Sequence, residues 1–122
     1  YPMTETEEFV VAWLASEREG VFSHETALVL HQLSDVLPTR LHLTLPNKWR
    51  RRALPEGIER HYASIPPDEI VWFGPVRVTS TAQTLRDCVA AHVSPELLDQ
   101  AFKQALSRGK VSATQISELR AH

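Results

Sequence analysis

The chain has 122 residues, with 13 Lys and Arg against 15 Asp and Glu, a formal charge of −2 and 43% hydrophobic residues. That length fits one domain able to bury roughly two-thirds of its unfolded surface. The charge balance excludes nucleic-acid binding by the surface at large, so any such contact must come from a local patch. The single cysteine, Cys88, excludes an internal disulfide framework. The apolar runs are too short to cross a bilayer and no secretory leader pattern is read, so a cytoplasmic protein is expected.

Thr4-Glu5-Thr6-Glu7 reads as a capping box opening a helix over about residues 5–17, with Phe9, Val10, Trp13 and Leu14 at helical spacing. Trp13 is expected in the core, and Gly20 is expected to stop the helix. The segment from Gly20 to Pro46 is the element on which the others pack. Ser23 is placed to cap a second helix with its hydroxyl. Ala27, Leu30 and His31 share one face of that helix, with Leu28 and Leu33 beside it. A polar link ending in Pro38 follows. Leu41, Leu43 and Leu45 then alternate with Arg40, His42 and Thr44, the pattern of a half-buried strand.

Asn47-Lys48-Trp49-Arg50-Arg51-Arg52 is the one dense basic run, read as a loop. Ile58–Ser64 is a second strand candidate with Ile58, Arg60 and Tyr62 on one face, broken by Pro66-Pro67. Ile70–Phe73 and Val76–Thr79 read as two short strands around the turn dipeptide Gly74-Pro75. Three helices finish the chain. Ser80-Thr81-Ala82-Gln83 and Ser112-Ala113-Thr114-Gln115 read as capping boxes, and Ser94-Pro95-Glu96 as a cap, a first-turn proline and an acid. The middle helix carries the stripe Leu97, Leu98, Ala101, Phe102, Ala105 and Leu106, ended by Arg108-Gly109. The expected class is α+β, a small mixed sheet of three to four short strands flanked by about five helices.

No catalytic constellation emerges. The six histidines lack partners at metal-ligand spacing. His42 and His61, on neighbouring strand candidates, read as solvent-facing or hydrogen-bonded side chains. Pro67-Asp68-Glu69 resembles the acidic start of a metal-dependent nuclease site, but no Glu-x-Lys strand follows, and an acidic loop is the better reading. Cys88 falls on an apolar helix face, as inert packing. The basic run suits a phosphate backbone, with Trp49 either stacking on a base or tucked into the core.

The ordered set Gly20–Leu28, Leu33–Val36, Arg40–Pro46, the basic loop, Leu54–Ile58, Val78–Asp87 and Ala101–Gly109 resembles the AbiEi antitoxin family across almost the whole chain. These are transcriptional regulators of type IV toxin–antitoxin and abortive-infection (phage-defence) loci. The resemblance implies an N-terminal winged-helix domain absent from this chain, with Tyr1-Pro2 as the seam, so that residues 1–122 are the C-terminal antitoxin domain. It implies operator DNA as a partner of the full-length repressor. It also implies a nucleotidyltransferase-type toxin that is countered without a stable complex. Gln32 stands where a glycine is commoner in the family. The implied working face is basic, and the contact residues expected here are Arg40, Lys48, Trp49, Arg50, Arg51 and Arg52, facing nucleic acid (RNA included) or an acidic partner. No enzymatic activity, metal or cofactor is expected. The competing readings are a dimerisation or positioning domain, in which two copies meet as a homodimer, and the metal-dependent nuclease.

Overall fold

The computed structural model describes residues 3–34 and 39–120, with side chains described for 7–34 and 39–119. The expected cap at Thr4, the link ending in Pro38 and the seam at Tyr1-Pro2 lie outside the described side chains or residues. The architecture is α+β. Helix α1 (Met3–Ala15) leads into β1 (Val21–Phe22), α2 (His24–Leu30) and β2 (Leu41–Leu45). A 3-10 turn over Asn47–Arg51 precedes β3 (Ile58–Tyr62), and a second over Pro67–Glu69 precedes β4 (Ile70–Phe73) and β5 (Val76–Thr79). Helices α3 (Thr81–Ala90), α4 (Pro95–Ser107) and α5 (Ala113–Arg120) follow.

The strands form one mixed sheet of five, ordered β3-β2-β1-β5-β4. This is one strand more than the upper expectation. The extra strand is β1, two residues in the centre of the sheet, antiparallel to β2 and parallel to β5. The β2–β3 pair is parallel, in the register Leu41↔Ile58 through Leu45↔Tyr62. Gly74 and Pro75 make a two-residue hairpin turn between β4 and β5, with Gly74 at φ +56°. Glycine in the left-handed region at the first central position is what a type II′ turn requires.

Two buried clusters meet at α2. Phe9, Ala12 and Trp13 of α1 pack with Phe22, Leu43, Leu45, Val76 and Val78, and α2 adds Ala27 and Leu30. Leu28 and Leu33 point into the second cluster, with Leu85, Cys88, Ala101, Phe102, Ala105 and Leu119. The organising role read for this segment follows from that double burial. The α4 stripe is largely covered inside the domain, and Leu106 alone of its six residues stands 47% exposed. A dimer face built on that stripe is therefore not offered.

Gly20 does not end a helix. α1 stops at Ala15, with Glu17 and Arg18 at φ +55° and +64°. What Gly20 provides is room, because a Cβ there would stand 2.7 Å from the Leu43 side chain. Leu43 is fully buried and cannot turn aside. Gly20→Ala is expected to destabilise by about 1–3 kcal/mol through overpacking. Urea unfolding checks it, and an unchanged midpoint would refute the close packing.

The caps also divide. The Ser112 hydroxyl accepts from the Gln115 amide while Gln115 Oε1 accepts from the Ser112 amide, a complete box. Ser80 caps Gln83, but the Gln83 side chain turns to Asp87 instead of reaching back. Ser94 accepts from Leu97. Ser23 holds the cap position with no side-chain cap bond. Its hydroxyl is engaged instead by Thr44 Oγ1 at 2.7 Å and His24 Nδ1 at 2.8 Å.

Candidate nucleic-acid interface

The basic run is a single 3-10 turn, not an open loop, and Pro46 precedes it in extended conformation. With three residues per turn, positions three apart eclipse. Accordingly Arg50 Nε donates to Asn47 Oδ1 at 3.1 Å, and the Arg52 guanidinium lies 4.9 Å from the Trp49 ring centre. From β3, Arg60 donates to the Trp49 and Arg52 carbonyls at 3.3 and 2.7 Å, bracing the turn from below.

Trp49 is 3% exposed, and its Nε1 donates to Glu19 Oε2 at 2.7 Å. The ring is part of the first core cluster. The expectation that it stacks on a base is thereby corrected: Trp49 anchors the turn and offers no free face.

The cations of the turn are unequal. Lys48 pairs with Glu19 at 2.6 Å, and Arg52 pairs with Glu17 at 2.8 Å. The hydrogen bonds from Lys48 and Trp49 hold the Glu19 carboxyl below the usual carboxylate range. Arg50 and Arg51 are exposed and have no carboxylate partner among the described residues. Arg50 lies 4.4 Å above the Tyr62 ring. The pairs of Lys48 and Arg52 are surface pairs, which contribute little and yield readily to a phosphate. Arg40 is not part of this patch. It precedes β2 while the turn follows it, so five strand residues, roughly 16 Å, separate them. Arg40 instead pairs with Glu59.

The structure also assembles a group that the sequence reading saw only in part. His42 Nδ1 and His61 Nε2 share a hydrogen bond of 2.9 Å across β2 and β3. His24, the first residue of α2, stacks on His61 with ring centres 3.7 Å apart. β1 delivers it there, since Ser23 continues the β1 ladder by donating its amide to the His42 carbonyl. Burial, then the neighbouring His61 and His42, pushes His24 down to about 3, and burial lowers His42 and His61 as well. Three neutral imidazoles at pH 7 follow. Face-to-face rings direct their in-plane lone pairs apart, and among the described residues no group of His, Cys, Asp and Glu has metal-holding geometry.

His24 and His61 border a cavity of about 420 Å³ also lined by Arg60, Ser64, Gln83 and Asp87. The signal for His24 in the sequence was its place two residues beyond Val21-Phe22, legible only once that dipeptide is known to be a strand. Gln83 and Asp87 were read merely as helix residues.

The acidic segment Pro67–Glu69, read as a loop before a strand, is a 3-10 turn leading into β4. Glu69 accepts from the Ser80 hydroxyl and from Arg86. Cys88 is buried and its thiol is pushed up to about 12, in keeping with inert packing. Among the described residues no helix is long and apolar enough to cross a membrane. In comparisons with known proteins, no protein-family profile and no curated sequence matches this chain.

Proposed function

We propose that this chain is the C-terminal effector domain of an AbiEi-like antitoxin and transcriptional repressor, acting in the cytoplasm against a nucleotidyltransferase-type toxin. In this reading the turn Asn47–Arg51, with Arg52, is its contact to a nucleic-acid backbone. The observation that carries the contact is the exposed pair Arg50-Arg51 on a turn braced by Trp49 and Arg60. Two adjacent guanidiniums on a rigid support release counterions from phosphates without first having to be ordered. Lys48 and Arg52 flank them and can exchange Glu19 and Glu17 for phosphate oxygens. No bond is made or broken by the domain in this account. The antidote role rests on the ordered resemblance alone, and the contact rests on the geometry of the turn.

Co-expression tests both. The domain is expected to restore growth to cells making the nucleotidyltransferase-type toxin encoded beside it. A variant with Arg50, Arg51 and Arg52 changed to Gln is expected to lose that rescue at equal protein level. Growth inhibition that persists with the unmodified domain would refute the antidote role. Full rescue by the variant would remove the turn from it.

A further inference from the structure

Phe22, Leu43 and Val78 stand side by side in the sheet and turn toward α1. Their neighbours Val21, Thr44 and Arg77 therefore turn to the opposite face, because side chains alternate along a strand. There they line a second cavity, of about 290 Å³, together with Ile65, Ile70 and Glu19. We propose that this cavity is a binding site for a small monocarboxylic acid with an apolar body, held by the Arg77 guanidinium, a site that the proposed nucleic-acid contact does not use.

Three observations select this ligand. First, Arg77 Nε is buried without a hydrogen-bond partner, the one such side-chain atom among the described residues. Arg77 Nη2 donates only to the Arg18 and Glu19 carbonyls, at 3.5 and 3.4 Å, the long limit for such a bond. Among the described residues no carboxylate pairs with Arg77. A half-buried guanidinium so poorly met is stabilised by an anion that supplies the missing acceptors. Second, Glu19 is the one carboxylate of the lining, and Lys48 and Trp49 already hold it. Arg77 is thus the uncompensated charge of the cavity. Its planar fork matches one carboxylate in shape and in charge. A phosphomonoester carries more than one negative charge and would leave the excess facing Glu19. Third, the walls beside Arg77 are apolar at Val21, Ile65 and Ile70, while Asn47 and Ser64 add an amide and a hydroxyl. Apolar walls around a few polar groups suit a carboxylate joined to hydrocarbon. The volume of about 290 Å³ is at the small end for ligand sites, which favours a small acid over a nucleotide.

The probes are hexanoate, its uncharged analogue hexanamide, and acetate, titrated into the chain while the arginine Nε–H signals are followed by NMR. Hexanoate is expected to shift the Arg77 signal and to bind about tenfold tighter than hexanamide or acetate. Arg77→Gln is expected to abolish the preference for hexanoate over hexanamide. Arg77→Lys keeps the stem and the charge but loses the fork, and is expected to weaken hexanoate about tenfold. That variant, with the signal of the unmodified chain, decides the matter even where the glutamine variant does not fold. Equal binding of hexanoate and hexanamide would overturn the site, as would hexanoate shifting the signals of Arg50 and Arg51 with that of Arg77 fixed. Acetate binding as tightly as hexanoate would overturn the ligand class, because the apolar walls would then contribute nothing. None of these outcomes bears on the basic turn, whose contact is tested by strand binding.

Discussion

Trp49→Ala is expected to destabilise the chain by about 3–5 kcal/mol, the range for removing a large buried aromatic. The ring is 3% exposed and packs in the cluster that α1 shares with the sheet. Its loss also removes the donor to Glu19 and the surface beneath Arg52. A domain of this kind has a total stability of about 5–15 kcal/mol, so the variant stands near the edge of folding. Trp49→Phe keeps most of the packing and loses the Nε1 bond, so it is expected to cost about 1–2 kcal/mol. Urea denaturation of the two variants checks the order. A loss under about 1 kcal/mol for the alanine would put the ring in water and restore it as a base-stacking residue.

The second large effect is a loss of stability on mild acidification. His24 falls to about 3 in the folded chain from 6.5, chiefly by burial. His42, His61 and His31 are lowered in the same direction and for the same first reason. A base with a depressed folded pKa binds fewer protons folded than unfolded. Its stabilisation is complete above 6.5 and is lost as pH falls toward the folded value. At 1.36 kcal/mol per pH unit, His24 alone accounts for about 2 kcal/mol between pH 6.5 and 5. The charges of Glu25 and Glu59 oppose part of the His42 shift. Asp87, raised by burial, works in the opposite sense. Geometry points the same way, because the bond between His42 and His61 needs one ring nitrogen without a proton. The urea midpoint is expected to fall steadily from pH 7 to pH 5, before most carboxylates titrate. His24→Asn is expected to flatten the curve, and asparagine tolerates the φ of +55° at that position. A flat profile for the unmodified chain would place the imidazoles in solvent.

The parts of the fold written in periodic patterns were legible. The alternation at Leu41–Leu45 and the helical stripe at Leu97–Ala105 gave β2 and α4. Val21–Phe22 was not legible, because two residues have no period, and the centre of the sheet was missed with it. Helix ends show the same limit. α2, α3 and α4 close with paired bonds back into the last turn around Gln32, His92 and Gly109, all at positive φ. Only at Gly109 does the sequence announce the left-handed residue. Gln32 stands at a φ of +59°, a physical reason why glycine would suit that position.

At the site, residue chemistry singled out the basic run but could not rank its members. Trp49 and Arg51 are two positions apart, yet one is core and the other solvent, a difference that depends on the 3-10 turn and on where β3 places Arg60. Arg40 looked close to the run in the chain, and the length of β2 separates it. The histidine stack requires residues 24, 42 and 61 to meet, which only the order β3-β2-β1 brings about.

The most direct test of the account is the salt dependence of single-strand binding by the chain and by its Arg50, Arg51 and Arg52 to Gln variant. Each lost phosphate contact removes about 0.7 from the slope of log affinity against log salt. The account expects the slope to become shallower by about 2, with affinity down at least tenfold at low salt. Equal slopes and equal affinities for the two proteins would contradict it.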